Sequence, residues 1–134
     1  MLDIEDYIRI IPDFPKEGII FKDITPLLAS PEASSVCVQQ LLELIDGKKI
    51  DKVVGVESRG FFFGTLLAQE IGAGFVPVRK AGKLPYQTLK QPYELEYGWD
   101  ALEIHEDAIS KGEKVLSKQY ISGFLSMYVG LRHI

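Results

Sequence analysis

The sequence predicts an α/β fold in which a parallel sheet is flanked by helices, and three observations predict it. A β-branched apolar run (Val53, Val54, Val56) stops at the polar turn Glu57-Ser58-Arg59-Gly60. It does not alternate, so it reads as a strand buried on both faces, the pattern of parallel sheets. Phe63, Leu66, Leu67 and Ile71 then fall at helical spacing before Gly72, a natural C-terminal stop. Phe75-Val76-Pro77-Val78 follows as a second short strand and completes a strand–helix–strand unit, which joins parallel neighbours.

From the N-terminus, residues 4–11 are apolar at 4, 7, 8 and 11, which predicts a short amphipathic helix ended by Pro12. Residues 12–18, Pro-Asp-Phe-Pro-Lys-Glu-Gly, predict a run of turns. Residues 19–24 suit a short strand or a packed loop, limited by Pro26. Ser30-Pro31-Glu32 combines an N-cap, a proline at the first helical position and an acid in the first turn. Val38, Leu41, Leu42 and Ile45 form one face of the helix it opens, and Gly47 closes it. Cys37 falls in the same pattern as a core or near-core residue.

Beyond the central unit, Pro77 is awkward in a central strand and points to a strand end. Residues 79–83, Arg-Lys-Ala-Gly-Lys, predict a basic loop at that strand's carboxyl end. Leu84-Pro85-Tyr86 and Gln91-Pro92 punctuate a further loop. Residues 93–97 then alternate, Gly98-Trp99-Asp100 turns, and residues 101–104 return as the second arm of a hairpin. This hairpin, above the basic crevice, is either a lid or an ordinary surface hairpin with Glu94 and Glu96 on its wet face. Residues 106–112 predict a helical turn, and Lys114-Val115-Leu116 a buried strand. Ser117-Lys118-Gln119 interrupts it, and Ile121, Phe124, Leu125, Tyr128 and Leu131 return to helical spacing.

A length of 134 residues allows one domain with a modest core. A net charge of −4 argues against a general nucleic-acid binder, whose footprint is basic. No apolar run approaches the ~20 residues of a membrane span, and the acidic N-terminus is unlike a signal peptide. The single cysteine permits no internal disulfide and no CxxC motif, which predicts a reducing cytoplasm. His105 and His133 are lone histidines and suggest no metal site. Arg59 and the group Arg79, Lys80 and Lys83 follow strands, at the edge where open α/β sheets bind ligands. A guanidinium fork beside a helix start favours phosphate oxygens. A solvated structural turn satisfies the same residues.

Four motifs in order resemble the adenine phosphoribosyltransferases of the type I phosphoribosyltransferase family. The first is Ile11-Pro12-Asp13-Phe14-Pro15 with Gly18-Ile19-Ile20-Phe21-Lys22-Asp23-Ile24-Thr25-Pro26. Glu57-Ser58-Arg59-Gly60-Phe61 follows, then Arg79-Lys80 with Gly82-Lys83-Leu84-Pro85, then Leu95-Glu96-Tyr97-Gly98. The resemblance implies a Rossmann-like phosphoribosyltransferase domain over residues 1–116, incomplete at its C-terminal side, and a non-family tail over residues 117–134. It implies transfer of ribosyl 5-phosphate from phosphoribosyl pyrophosphate to adenine, giving AMP and pyrophosphate in purine salvage. The implied setting is a cytoplasmic homodimer, with Mg2+ carried on the sugar substrate and no nucleic-acid or membrane partner.

By the same resemblance, Ile20, Phe21 and Lys22 bind adenine, where an aliphatic and an aromatic side chain sandwich the base and backbone groups read its edge. Glu57, Ser58, Arg59, Arg79, Lys80 and Lys83 bind pyrophosphate, with a non-proline cis peptide at Glu57-Ser58. Glu96 and Tyr97 are the catalytic lid dipeptide, Glu96 managing the proton on the imidazole part of adenine. One departure counts against activity. The family continues after residues 114–116 with two adjacent aspartates for the ribose hydroxyls and a Thr-Gly-Gly-Thr-like loop for the 5-phosphate. Residues 117–134 contain no aspartate and no such loop. The expectation is therefore little transferase activity and marginal stability, with a non-catalytic dimerisation or binding partner as the alternative. A transferase for another purine is disfavoured by residues 19–26.

Overall fold

The apolar spacing of residues 4–11 does not build one helix. In the computed structural model, which describes residues 2–95, 98–118 and 132–133, Ile4–Tyr7 makes a single 3-10 turn and Arg9–Pro12 is a strand, β1. Asp3 caps the turn, its carboxylate accepting from the Glu5 N–H at 3.0 Å. The residues that follow explain the correction. Ile8, Ile10 and Ile11 are β-branched and favour extended backbone, and a partner strand is available. β1 pairs antiparallel with Ile20–Asp23, β2, from Arg9 opposite Asp23 to Pro12 opposite Ile20.

The two strands are joined by the turns expected of residues 12–18. Asp13 (φ 56°) and Gly18 (φ 86°) adopt left-handed backbone, and the Phe14-Pro15 peptide is cis. The Asp13 carboxylate accepts from the Gly18 N–H at 2.9 Å and closes the loop. Pro26 does more than limit β2, because it opens a helix, Thr25–Ala29 (α1). A proline in the first turn forfeits no intrahelical bond. The Asp23 carboxylate accepts from the Thr25 N–H at 2.9 Å and from its hydroxyl at 2.7 Å. Pro31–Ile45 (α2) starts as expected, with Ser30 Oγ accepting from the Ala33 N–H at 3.1 Å. It ends on left-handed Asp46 and Gly47. Cys37, Leu41 and Ile45 are buried along it. These elements form one unit, Met1–Asp46, and the rest of the chain a second, Gly47–Ile134.

The second unit is a six-stranded sheet with Arg59–Ile71 (α3) packed on it. Its strands are Lys52–Val56 (β3), Gly74–Lys80 (β4), Thr88–Leu95 (β5), Gly98–His105 (β6), Lys114–Lys118 (β7) and Arg132–His133 (β8). Their order is β5-β6-β4-β3-β7-β8. The parallel pairing expected of the sheet holds for its centre, β7-β3-β4, while β6, β5 and β8 add antiparallel. Val53, Phe63, Leu67 and Leu116 are fully buried there.

Several boundaries differ from expectation. β4 runs to Lys80, so Arg79 and Lys80 are strand residues and not loop. Pro77 sits inside β4 without loss. The Gly74 N–H and the Val78 C=O bond toward β3, so by alternation residue 77 faces the other edge, where β6 pairs only from Arg79 onward. Gln91 and Pro92 belong to β5, the outer strand, where a missing N–H is tolerated. Residues 106–112 make turns and bends in place of a helical turn. β7 extends through Ser117, opposite Val54, to Lys118, opposite Gly55. The helical spacing of residues 121–131 lies outside the described residues. Among the described residues, no helix is long and apolar enough to cross a membrane.

Candidate anion-binding site

Only Glu57 and Ser58 separate the last residue of β3 from the first of α3, and glycines make so tight a turn possible. A Cβ on Gly55 would lie 2.8 Å from both the Gly60 carbonyl carbon and Phe75 Cε1. A Cβ on Gly64 would lie 2.6 Å from Phe75 Cε1. Both distances are too short for real side chains, so the helix start is drawn directly onto β3 and β4. The Glu57-Ser58 peptide is cis, as the family resemblance implied. Ser58 is exposed at the N-cap, its C=O accepting from the Phe61 N–H at 3.1 Å. Arg59 is the first residue of α3.

The Glu57 carboxylate turns back toward the end of β4. It accepts from Arg79 Nε at 2.9 Å and Nη2 at 2.8 Å, from the Lys80 N–H at 2.8 Å, and pairs with Lys83 Nζ at 3.6 Å. The Glu57 side chain is 9% exposed, that of Arg79 34% and that of Lys83 51%. The Lys80 N–H, then Arg79 and Lys83, hold this carboxyl below its ordinary value against the opposing cost of burial. Two cations around one carboxylate leave the group net positive, with both cationic ends reaching water. The Arg79 guanidinium also lies 6.0 Å from the centre of the Phe61 ring.

A second carboxylate holds the same segment. Glu103 in β6 lies opposite Arg79, is buried, and accepts from the Gly82 N–H at 2.6 Å and from the Thr88 hydroxyl. The Thr88 hydroxyl and the Gly82 N–H, and to a smaller extent the charge of Lys90, keep it below its ordinary value, again against burial. Sequence reasoning missed this residue. The available signal was its phase, since Glu103 shares the inward parity of Ala101 and so sits where an apolar side chain is expected.

The structure therefore gathers Glu57, Arg79, Lys80 and Lys83 into one cluster, with Ser58 and Arg59 on the adjoining turn. Ile20, Phe21 and Lys22 lie in β2 of the first unit. Ile20 is 67% exposed. Consecutive strand residues face opposite ways, so Ile20 and Phe21 do not form the two walls of one slot. The Phe21 ring meets Phe14 edge-to-face at 5.2 Å. Glu96 and Tyr97 lie outside the described residues; the strands flanking them pair through Leu95 opposite Gly98. Among the described residues, no group of three or more His, Cys, Asp or Glu side chains could hold a metal ion.

A parallel core with a cis-peptide turn and a basic strand end at its carboxyl edge defines the type I phosphoribosyltransferase class of α/β fold. Comparison with known proteins narrows the class. Over 115 residues the chain is 63% identical to an adenine phosphoribosyltransferase of Flavobacterium johnsoniae, covering 86% of this chain and 68% of that protein. It is similar in structure to adenine phosphoribosyltransferase from Thermoanaerobacter pseudethanolicus, with a TM-score of 0.82, 53% identity, and coverage of 85% of this chain and 66% of that one. The enzyme from Saccharomyces cerevisiae, complexed with D-2,5-dideoxy-2,5-imino-altritol 1,6-bisphosphate and adenine, matches with a TM-score of 0.79 and 44% identity over 85% of this chain and 67% of that one. No family model matches. The chain belongs to the adenine phosphoribosyltransferase family, and it spans about two thirds of the length of these relatives.

Proposed function

We propose that this chain carries the adenine-reading and pyrophosphate-holding parts of an adenine phosphoribosyltransferase, acting on adenine and phosphoribosyl pyrophosphate in purine salvage. The observation that supports this most is the Glu57-centred cluster at the end of β3 and β4. Residues 1–116 constitute the phosphoribosyltransferase portion in this reading, and residues 117–134 stand outside it. The protein works as a cytoplasmic homodimer, and Mg2+ arrives on the sugar substrate. Neither nucleic acid nor membrane is a partner.

The chemistry is displacement at the anomeric carbon through a cation-like transition state, in which the leaving pyrophosphate gathers charge. Arg59, Arg79, Lys80 and Lys83, with Ser58 as a neutral donor, neutralise that charge, the kind of fixed electrostatic stabilisation that lowers such barriers most. Glu57 is itself an anion, so its part is to aim Arg79 and Lys83 and not to touch pyrophosphate. Phe21 offers a ring face to adenine. β2 is the open side of a two-stranded ribbon, so the outward backbone groups of Ile20, Phe21 and Lys22 can read the edge of the base. Glu96 manages the imidazole proton of adenine beside Tyr97.

A second reading, a non-catalytic binding or dimerisation partner, draws support from residues 117–134, which lack the acidic pair and the phosphate loop of the family pattern. Without them the ribose has no grip of its own, and the ~7–11 kcal/mol available from alignment is forfeited. Calorimetric titration of inorganic pyrophosphate, together with AMP formation from labelled adenine, phosphoribosyl pyrophosphate and Mg2+, separates the readings. The expected result is pyrophosphate binding that Arg59→Ala weakens, with AMP formation far below an ordinary enzymic rate. Equal affinity in wild type and Arg59→Ala rules out the assignment of Arg59. AMP at an ordinary enzymic rate overturns the account of residues 117–134.

A further inference from the structure

We propose that Glu103 is a positioning residue for the anion-binding segment 79–83, fixing through the Gly82 amide the turn that presents Lys83. The inference rests on the pyrophosphate-site reading above and extends it to a residue outside every motif that carried the family resemblance.

Glu103 is 8% exposed and is the buried charged side chain of the described core. A carboxylate so placed is tolerated only when its lone pairs are satisfied. Both of its donors come from segments that flank the basic residues: the Gly82 N–H at 2.6 Å and the Thr88 hydroxyl at the start of β5. The turn it grips is short. The Ala81 N–H donates to the Ala101 C=O at 3.3 Å, Gly82 takes left-handed backbone (φ 85°), and the Lys83 N–H donates to the Lys80 C=O at 3.3 Å. Glu57 meanwhile holds Arg79, the Lys80 N–H and Lys83. Residues 79, 80, 82 and 83 are thus gripped by two carboxylates, one on the β3–α3 turn and one on β6.

The chemistry of the two grips differs. Glu57 neutralises charge as it aims it. Glu103 takes both of its hydrogen bonds from neutral donors, with Lys90 opposite it in β5 adding a smaller attraction, so its contribution to the site is the direction of the turn, set before any anion arrives. Pre-organisation of that kind lowers the ordering cost of binding. The Glu103 negative charge alone would repel pyrophosphate, so a purely electrostatic role predicts tighter binding once it is removed. A positioning role predicts weaker binding.

The test is calorimetric titration of inorganic pyrophosphate with MgCl2 into the 134-residue chain and its variants, with folding checked by circular dichroism. Glu103→Ala should weaken binding about tenfold, the loss of roughly one well-formed hydrogen bond to a charged acceptor. Glu103→Gln keeps an acceptor oxygen for the Gly82 amide and should stay within about threefold of wild type. A folded Glu103→Ala that binds as well as or better than wild type overturns the inference, as does a Gln variant no better than Ala. Should Glu103→Ala fail to fold, Thr88→Val removes one donor and leaves the Gly82 contact. It should weaken binding about twofold to threefold, and wild-type affinity there overturns the inference. Arg59→Ala separates the levels. If it weakens binding while Glu103 variants do not, only the Glu103 inference fails. If wild type binds no pyrophosphate, the site reading fails with it.

Discussion

The end of β3 and the inward face of β6 hold the same basic segment, and they do so by different means. At the β3–α3 turn, Glu57 meets two cations and one amide. On β6, Glu103 meets an amide and a hydroxyl. An ion pair whose cations reach water is screened by salt, whereas neutral donors to a buried carboxylate are not. The site therefore separates two tasks that a single residue could not perform: distributing charge, and fixing the backbone that bears it.

Loosening α3 from β3 and β4 is the most drastic way to break this comparison. Phe63, in α3, is wholly buried. Phe63→Ala should cost about 3–5 kcal/mol, read by urea denaturation, and should abolish pyrophosphate binding along with the fold. A loss under about 1 kcal/mol would mean that α3 does not rest on the sheet as described.

Glu57→Gln sharpens the contrast. It leaves Arg79 without its ion pair, but with Arg79 34% exposed the loss should be about 1 kcal/mol and not the 3–5 of a fully buried pair. That loss should shrink as salt is raised toward 1 M, where the Debye length falls to about 3 Å. The effect of Glu103→Gln on stability should depend on salt far less, because its hydrogen bonds come from neutral donors and Lys90 adds only the smallest contribution. Equal salt dependence of the two variants would erase the distinction between the grips.

Acid should release both. Each carboxyl is held below its ordinary value of 4.5 in the folded chain. A depressed folded value means that the unfolded chain takes up protons first as pH falls. The stability each contributes is therefore complete above about 4.5, the unfolded value, and is lost as pH drops through the lower folded value. Denaturation midpoints measured from pH 7 to 3 should fall more steeply for wild type than for Glu57→Gln or Glu103→Gln. Overlapping profiles would count against the contacts assigned to that residue.

What could be read in advance follows the same division. The β3–α3–β4 unit was legible because burial leaves a periodic trace: Val53, Phe63 and Leu67 point inward where apolar spacing put them. Ser30 was legible because a helix start has local chemistry. Residues 4–11 misled because spacing at 4, 7, 8 and 11 fits a helix, while the strand form depends on β2, whose residues pair from Pro12 opposite Ile20 to Arg9 opposite Asp23. Arg79 and Lys80 were read as loop because they are charged, although strand ends at a ligand edge are where charges belong. Glu57 and Arg79 were both singled out, but their mutual bond spans 22 residues and no local pattern announces it. Glu103 was missed for the same reason, its donors lying 21 and 15 residues away.

The smallest effect expected is also the sharpest check on the β6 grip. Leu89 follows Thr88 in β5, so its side chain leaves the opposite face of the hairpin. It pairs across the hairpin with Ile104, whereas Thr88 reaches Glu103. Leu89 is 60% exposed, and truncating an exposed apolar side chain outside the core usually changes stability by no more than about 0.5 kcal/mol. Leu89→Ala should therefore leave both the denaturation midpoint and pyrophosphate affinity near wild type, while Thr88→Val, one residue earlier, lowers affinity. The two variants share a strand and an edge position, and Leu89→Ala removes the more atoms. They differ in which face they serve. If Leu89→Ala weakens pyrophosphate binding as much as Thr88→Val does, the hairpin acts as a whole through its general stability, and the specific line from Thr88 through Glu103 to Gly82 has no separate meaning.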